Sequence, residues 1–184
     1  MEKLEAVNMM LRRLGESTVT SLDVPYPTVS IALPALEEAR TGLLLSEWYF
    51  NKFEWRNLLP NQFGQVEVPT EVLMLYPEDP ERFVFAGKYI RDARTGQHVD
   101  TAVLCKIVVD VPFEELPVQA QLYCVYQAAH SVYVQDFGMD DTAQVIQQEA
   151  MGAYVILSAQ HTRHRKYNTR TRRNWQRMLG GLRN

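Results

Sequence analysis

Residues 102–117 read AVLCKIVVDVPFEELP, and within them the pattern changes from a strand to the start of a helix. Apolar side chains occupy every second position of Val103–Val111, which predicts a strand with one buried face. Lys106 and Asp110 lie on the opposite face, as expected for an antiparallel sheet that is solvated on one side. Pro117 fits the first position of a helix, where a missing N–H removes no hydrogen bond.

The residues before this strand also have a sequence pattern that is typical of strands. Across residues 48–112, short aromatic and β-branched runs alternate with turn residues such as Pro60–Gly64. Arg82–Ile90 is a predicted strand, and a hairpin-like connection at Arg94–Gly96 leads from it to the strand at Ala102–Val111. These patterns predict a small antiparallel β-region.

Helical spacing of apolar residues occurs at both ends of the chain. It covers residues 2–14, 28–47, 117–137 and 140–160, which predicts four helices. The fourth of these carries an apolar stripe and a second stripe of mixed polarity, so we expect it to pack against more than one neighbour. The mixed stripe consists of Val145, Gln148, Gly152, Val155 and Ala159.

The order of these elements predicts an α+β fold. We expect a four-helix bundle built from both chain ends, with an inserted small antiparallel β-region and an extended basic C-terminal tail. The expected domains are residues 1–47 with 113–162 for the bundle, 48–112 for the β-region and 163–184 for the tail.

Positive charge is concentrated at the end of the chain. Residues 163–184 carry eight Lys and Arg side chains and no Asp or Glu, although the whole chain has a net charge of −3. Such a tail can contact a phosphate backbone, contact an acidic protein surface or remain solvated, and the three interpretations stay open here. The candidate partner-binding residues are Arg163, Arg165, Lys166, Arg170, Arg172, Arg173 and Arg177.

An aromatic cluster begins where the second helical pattern ends. Aromatic rings can stack on bases, but only Lys52 and Arg56 supply positive charge inside this cluster. Packing in a core or at a subunit interface is therefore favoured. The interface candidates are Trp48, Phe50 and Trp55.

The sequence contains no motif of enzyme chemistry. It has no C-x-x-C, G-x-S-x-G, G-x-G-x-x-G or Walker loop, and Cys105 and Cys124 are expected to be buried thiols. His161 and His164 have a spacing that would suit a metal, but the cations around them disfavour one. We therefore predict no catalytic residue, no metal, no cofactor and no membrane-spanning segment.

Five short elements follow one another along the chain. They are Glu5–Asp23, the aromatic step Trp48–Asn51, Val66–Pro69, the turn Tyr89–Gly96 and Phe113–Pro117. In this order, and over about residues 4–160, they resemble the tail tubular protein A family of short-tailed bacteriophages.

The resemblance implies a structural role in the virion. Members of that family form a ring beneath the portal vertex, twelve-fold by matching to the portal, which joins it to the nozzle protein, tail tubular protein B. The implied partners are the portal protein, the nozzle protein, further copies of the chain and the double-stranded DNA that passes through the channel. The chain would be made in the bacterial host cytoplasm. Trp48, Phe50 and Trp55 would then be subunit or nozzle interface candidates.

Two functions of different classes remain. In the first, the chain is the adaptor ring, and residues 163–177 form an arm that docks on the portal and becomes ordered on binding. In the second, the chain is a nucleic-acid-binding module whose tail arginines contact phosphates, with an affinity that falls steeply with salt. No sequence motif supports an enzymatic function.

Overall fold

The computed structural model describes residues 1–23 and 26–165, and its fold is α+β, as predicted. Two helices are followed by five strands, a short 3-10 turn at Phe113–Glu115 and two further helices. In chain order these are α1 (Lys3–Arg13), α2 (Pro27–Leu44), β1 (Lys52–Leu58), β2 (Val72–Pro77), β3 (Phe83–Ala86), β4 (Tyr89–Asp92), β5 (Val103–Val109), α3 (Val118–Phe137) and α4 (Asp141–His164). None of the helices described is both long and apolar enough to cross a membrane.

All four helices contribute side chains to one hydrophobic core. Helix α3 packs against each of the other three, most extensively against α4 and α2. The small side chains of Ala120, Ala128 and Ala129 on its buried face let those neighbours approach closely. Helices from the two ends of the chain are therefore held together by α3.

The helix ends follow ordinary capping chemistry. Helix α1 ends at Arg13 and is followed by Gly15, whose φ of 76° suits glycine. Helix α4 starts after Asp140, whose carboxylate accepts the Ala143 N–H at 2.8 Å. Helix α2 starts at Pro27 and contains Pro34, and it ends at Leu44 instead of reaching residue 47. Helix α4 continues past its predicted end at residue 160 to His164.

The β-region has a core of its own. Strand β5 is the centre of a three-stranded antiparallel sheet, with β1 on one side and β2 on the other. Its residues Val103, Cys105 and Ile107 face a second hydrophobic cluster that includes Ile90. The predicted strand face is correct for these three residues, but Val111 packs against the helical core instead.

The prediction of one strand at Arg82–Ile90 is wrong. The chain reverses at Gly87, which has a φ of 67°, and so forms the two-stranded hairpin of β3 and β4. The turn at Arg94–Gly96 is present, and the Asp92 carboxylate accepts two of its amide hydrogens at 3.0 and 2.8 Å. Strand β5 nevertheless pairs with β1 and β2, and not with β4.

A partly buried ion-pair network joins the helices to the end of β5. Arg40 of α2 binds the Asp110 carboxylate and donates to the Val111 carbonyl at 2.7 Å. The same guanidinium donates to Glu37 at 2.7 Å, and Glu37 also pairs with Lys3 of α1 at 2.8 Å. The network fixes the position of α2 relative to the end of β5, because Arg40 binds Glu37, Asp110 and the Val111 carbonyl at once.

Leu36→Ala tests the helical core against a control on the same helix. Leu36 is fully buried, so its truncation should lower the free energy of unfolding by about 2–5 kcal/mol. Ile31 is 48% exposed, and Ile31→Ala should change it by less than about 0.5 kcal/mol. Urea unfolding followed by circular dichroism measures both, and equal losses would contradict this assignment of the core.

Candidate functional site

The aromatic step Trp48–Asn51 closes the end of α2. The last carbonyls of a helix have no donor within the helix and need one from elsewhere. The Trp48 indole N–H donates to the Leu43 carbonyl at 2.8 Å, and the Asn51 amide donates to the Leu44 carbonyl at 2.8 Å. Both donor side chains are buried, so the step caps α2 from inside the protein.

Asn51 also ties this cap to the sheet. Its backbone carbonyl accepts the Val109 N–H at 2.8 Å, and its side-chain amide lies 3.4 Å from the Val109 carbonyl. One residue therefore bridges the end of α2, the start of β1 and the central strand β5.

The end of α4 lies on the same step. Nδ1 of His161 accepts a hydrogen bond from the Tyr49 backbone N–H at 3.1 Å, and its ring meets Trp48 edge-on with 5.2 Å between centroids. His164 stacks on the Tyr49 ring at 4.0 Å. Both histidines thus take part in packing, and the described residues contain no cluster of three potential metal ligands.

His161 is held in its neutral form. Burial lowers its pKa below the usual 6.5, and the positive charges of Arg165, Lys52 and His164 act in the same direction. Only an unprotonated Nδ1 can accept the Tyr49 N–H, so the hydrogen bond and the lowered pKa agree.

The three predicted interface aromatics lie in different environments. Trp48 is 4% exposed and belongs to the helical core, and Phe50 is half-buried and stacked against it with 6.3 Å between centroids. Trp55 is 48% exposed and has a φ of 61° at an irregularity in the pairing of β1 with β5. Of the three, only Trp55 offers a large exposed ring to a partner.

Trp55 is part of a small patch on the outer face of the three-stranded sheet. The Lys106 ammonium lies 4.8 Å from the centre of its ring, within cation–π distance. Tyr76 pairs directly with Lys106 on the neighbouring strand and is exposed. We call Trp55, Tyr76 and Lys106 the sheet patch. The sequence did not reveal it, because its members are far apart along the chain.

Helix α4 has an exposed apolar face as well as a buried one. Its buried residues are Ala143, Ile146, Ala150, Ala153 and Leu157. The large apolar residues of its exposed face, which we call the outer stripe, are Val145, Met151, Val155 and Ile156. The outer stripe shares only Val145 and Val155 with the stripe of mixed polarity predicted for this helix, whose members are all exposed, and nothing in residues 1–23 and 26–165 covers it.

Phe63 is held in solvent at the tip of a tight turn and is 75% exposed. The Asn61 side-chain oxygen accepts the backbone N–H groups of Phe63 and Gln65 at 2.9 and 3.1 Å, and Gly64 has a φ of 67°. The backbone that carries Phe63 is fixed in this way, so it loses little conformational entropy on binding a partner.

Two of the predicted tail residues are described by the structure. Arg163 lies in the last turn of α4 and Arg165 follows it, and both are exposed. Cations at this end of a helix are favoured by the helix dipole. The other predicted residues, Lys166, Arg170, Arg172, Arg173 and Arg177, lie outside the described residues.

Both cysteines are inert thiols. Burial raises the pKa of Cys105 to about 11 and that of Cys124 to about 12. Neither forms a thiolate near neutral pH, so neither is an activated nucleophile.

Comparison with known proteins identifies the family of the chain. A family model described as tail tubular protein matches residues 4–167. The chain belongs to the tail tubular protein family. A curated relative, Tail tubular protein A of Klebsiella phage KP34, is 32% identical over 171 residues, which cover 92% of this chain and 91% of the relative.

A tail tubular protein is a structural component of the phage tail. The resemblance inferred from five sequence elements is confirmed, and so is the prediction that the chain is not an enzyme, because the family is structural. The aromatic step, one of those five elements, has a structural task here as the cap of α2.

Asn51→Ala should destabilise this tail tubular protein, because it removes the side-chain hydrogen bonds to the Leu44 and Val109 carbonyls. A hydrogen bond of this kind contributes about 0.5–1.5 kcal/mol of unfolding free energy. Asn57 lies on β1 and is exposed, so Asn57→Ala should cost less than about 0.5 kcal/mol. Chemical denaturation compares the two, and a small loss for both would contradict the bridging role of Asn51.

The lowered pKa of His161 predicts that stability falls in acid. Below pH 6.5 the unfolded chain binds a proton at this site that the folded chain resists. The stabilisation is present above that pH and is lost as pH falls through the folded pKa. His161→Asn keeps an acceptor in place of Nδ1 but cannot titrate there, so its stability should fall less between about pH 7.5 and about pH 5. Parallel denaturant curves for the two proteins would refute this if their losses were the same.

Proposed function

We propose that this tail tubular protein is an adaptor that forms a ring between the portal and the nozzle protein, tail tubular protein B. Its membership of the family and its similarity to Tail tubular protein A of Klebsiella phage KP34 support this role. The ring lies beneath the portal vertex, is twelve-fold to match the portal, and surrounds the double-stranded DNA that leaves the capsid.

Two unlike apolar surfaces on one subunit carry the proposal. A closed ring of identical subunits joins one surface of each subunit to a different surface of the next. The outer stripe of α4 is one such surface, and the exposed aromatics Trp55 and Phe63 of the β-region are another. A chain that works alone gains nothing from exposing both.

In this proposal each of the expected domains has its own role. Residues 1–47 and 113–162 act as a four-helix bundle, residues 48–112 as its inserted β-region, and residues 163–184 as a basic tail. The tail docks on an acidic surface of the portal through Arg163, Arg165, Lys166, Arg170, Arg172, Arg173 and Arg177. Its starting point is fixed, because His161 and His164 anchor the end of α4 on Tyr49.

A second candidate function is nucleic-acid binding. It is supported by the sheet patch, where Lys106 lies against the exposed ring of Trp55, and by the exposed Arg163 and Arg165. Exposed rings next to cations are the combination that stacks bases and contacts phosphates.

The adaptor proposal is tested by mixing the purified chain with the portal ring of the same phage and imaging the product by electron microscopy. The expected result is a second ring stacked on the portal. A chain that ends at Thr162 should form no such ring, because it lacks the docking residues. Absence of any complex with the full chain would contradict the adaptor role.

Charge and side-chain shape are separated by two matched variants. Replacing Arg170, Arg172 and Arg173 by Gln should weaken portal binding strongly, whereas replacing them by Lys should weaken it less. Excess double-stranded DNA should leave the portal complex intact. If DNA displaces the chain instead, the tail binds phosphates and the second candidate function is favoured.

A further inference from the structure

The outer stripe of α4 is long and bordered by charges of opposite sign. At about 1.5 Å per residue, the helix extends over about 36 Å. Asp141 lies in its first turn and Arg163 in its last, both exposed. Neither is in an ion pair within the described part of the chain. Whatever covers the stripe is therefore expected to present a cation at one end and an anion at the other.

A second copy of α4 in the opposite direction has this pattern. We propose that, before ring assembly, two copies of the chain pair through their outer stripes as an antiparallel dimer centred on Gly152. This inference goes beyond the adaptor role: the pairing itself does not depend on that role, whereas its effect on assembly rests on the proposed function.

The register follows from the helix itself. With the twofold axis at Gly152, Asp141 of one copy lies opposite Arg163 of the other, and the same pair forms again at the far end. Val145 lies opposite Ala159, so apolar residues meet between the two charged pairs. All of these positions are on the exposed face of α4.

Gly152 suits the centre of such a crossing. It is exposed, near the middle of α4, and a Cβ built there would have no heavy atom within 4 Å, so this side of the helix is open. Helices that cross at a residue without a side chain can approach closely, which lets the flanking Val155 and Met151 make contact.

Charge argues against other occupants. A parallel pairing of two copies would place Asp141 beside Asp141 and Arg163 beside Arg163, and like charges repel. The sheet patch carries Lys106, so it cannot neutralise Arg163. In the antiparallel arrangement the two helix dipoles also point in opposite directions, which is electrostatically favourable.

The dimer would control when the ring forms. A twofold contact uses the same surface on both copies and therefore closes after two. It covers the outer stripe that the ring requires, so free chains cannot join into rings until a portal competes for them. Release of the pair is then a step of assembly.

The first test is the mass of the full chain in solution. Sedimentation should show a concentration-dependent species of twice the 21.3 kDa chain mass. Val155→Lys should make the chain monomeric, whereas Val84→Lys, at an exposed residue of β3, should leave the dimer intact. A monomer at every concentration would overturn the proposal, as would equal effects of the two variants.

Charge exchange tests the ends of the contact. Asp141→Lys and Arg163→Glu should each weaken the dimer by roughly five- to tenfold, because each change removes both copies of the ion pair. The double variant restores opposite charges and should recover most of the affinity. Failure to recover would overturn the antiparallel register.

Cysteine cross-linking tests the twofold axis directly, and it does not require the other variants to fold. Gly152→Cys alone should form a disulfide-linked dimer, since its two copies meet at the axis. Ala159→Cys alone should not, because its copies lie about 21 Å apart, but it should link when mixed with Val145→Cys. The buried native thiols do not interfere. Linking of Ala159→Cys with itself, or none of Gly152→Cys, would refute this register.

Failure of the dimer and failure of the adaptor role give different results. A chain that is monomeric in solution yet stacks on the portal overturns only the dimer. A chain that cross-links at Gly152→Cys but does not bind the portal overturns only the adaptor role.

Discussion

The fold depends on how the end of α2 is closed. Leu43 and Leu44 are buried, so the chain itself must supply donors to their carbonyls. The backbone N–H groups of Ser46 and Glu47 donate to them at 3.1 and 3.3 Å, and the side chains of Trp48 and Asn51 add shorter bonds at 2.8 Å each. That requirement brings the aromatic step into the core, sets where β1 begins and binds it to β5. It also leaves Tyr49 as the surface on which α4 ends.

Local patterns predicted local structure. The alternation at Val103, Cys105 and Ile107 and the helical spacing at both ends correctly identified β5 and the four helices, because both signals depend only on neighbouring residues. The split at Gly87 was missed, since the apolar alternation runs through a glycine that turns the chain. The pairing of β5 was missed as well, because its partners β1 and β2 are remote in sequence. The burial of Trp48 depends on the same kind of distant contact.

The candidate surfaces also differ in whether local sequence could predict them. The stripe of mixed polarity on α4 was predicted from its own sequence as a packing face, but it is exposed in the structure. The sheet patch could not be predicted, since Lys106 reaches Trp55 only through strand pairing. The side chains that suggest chemistry in the sequence are His161, His164 and the two cysteines. In the structure the histidines pack against the aromatic step and the thiols are buried. Large apolar side chains remain exposed at the outer stripe, Trp55 and Phe63, which suits a tail protein that binds its neighbours.

Electron cryomicroscopy of the intact virion tests the adaptor role most directly. The account predicts that density matching α1–α4 and the two small sheets forms a ring between the portal and the nozzle, with the outer stripe of α4 in contact with the next subunit. It would be contradicted if this density lay elsewhere in the tail, or if the outer stripe faced solvent in the assembled particle.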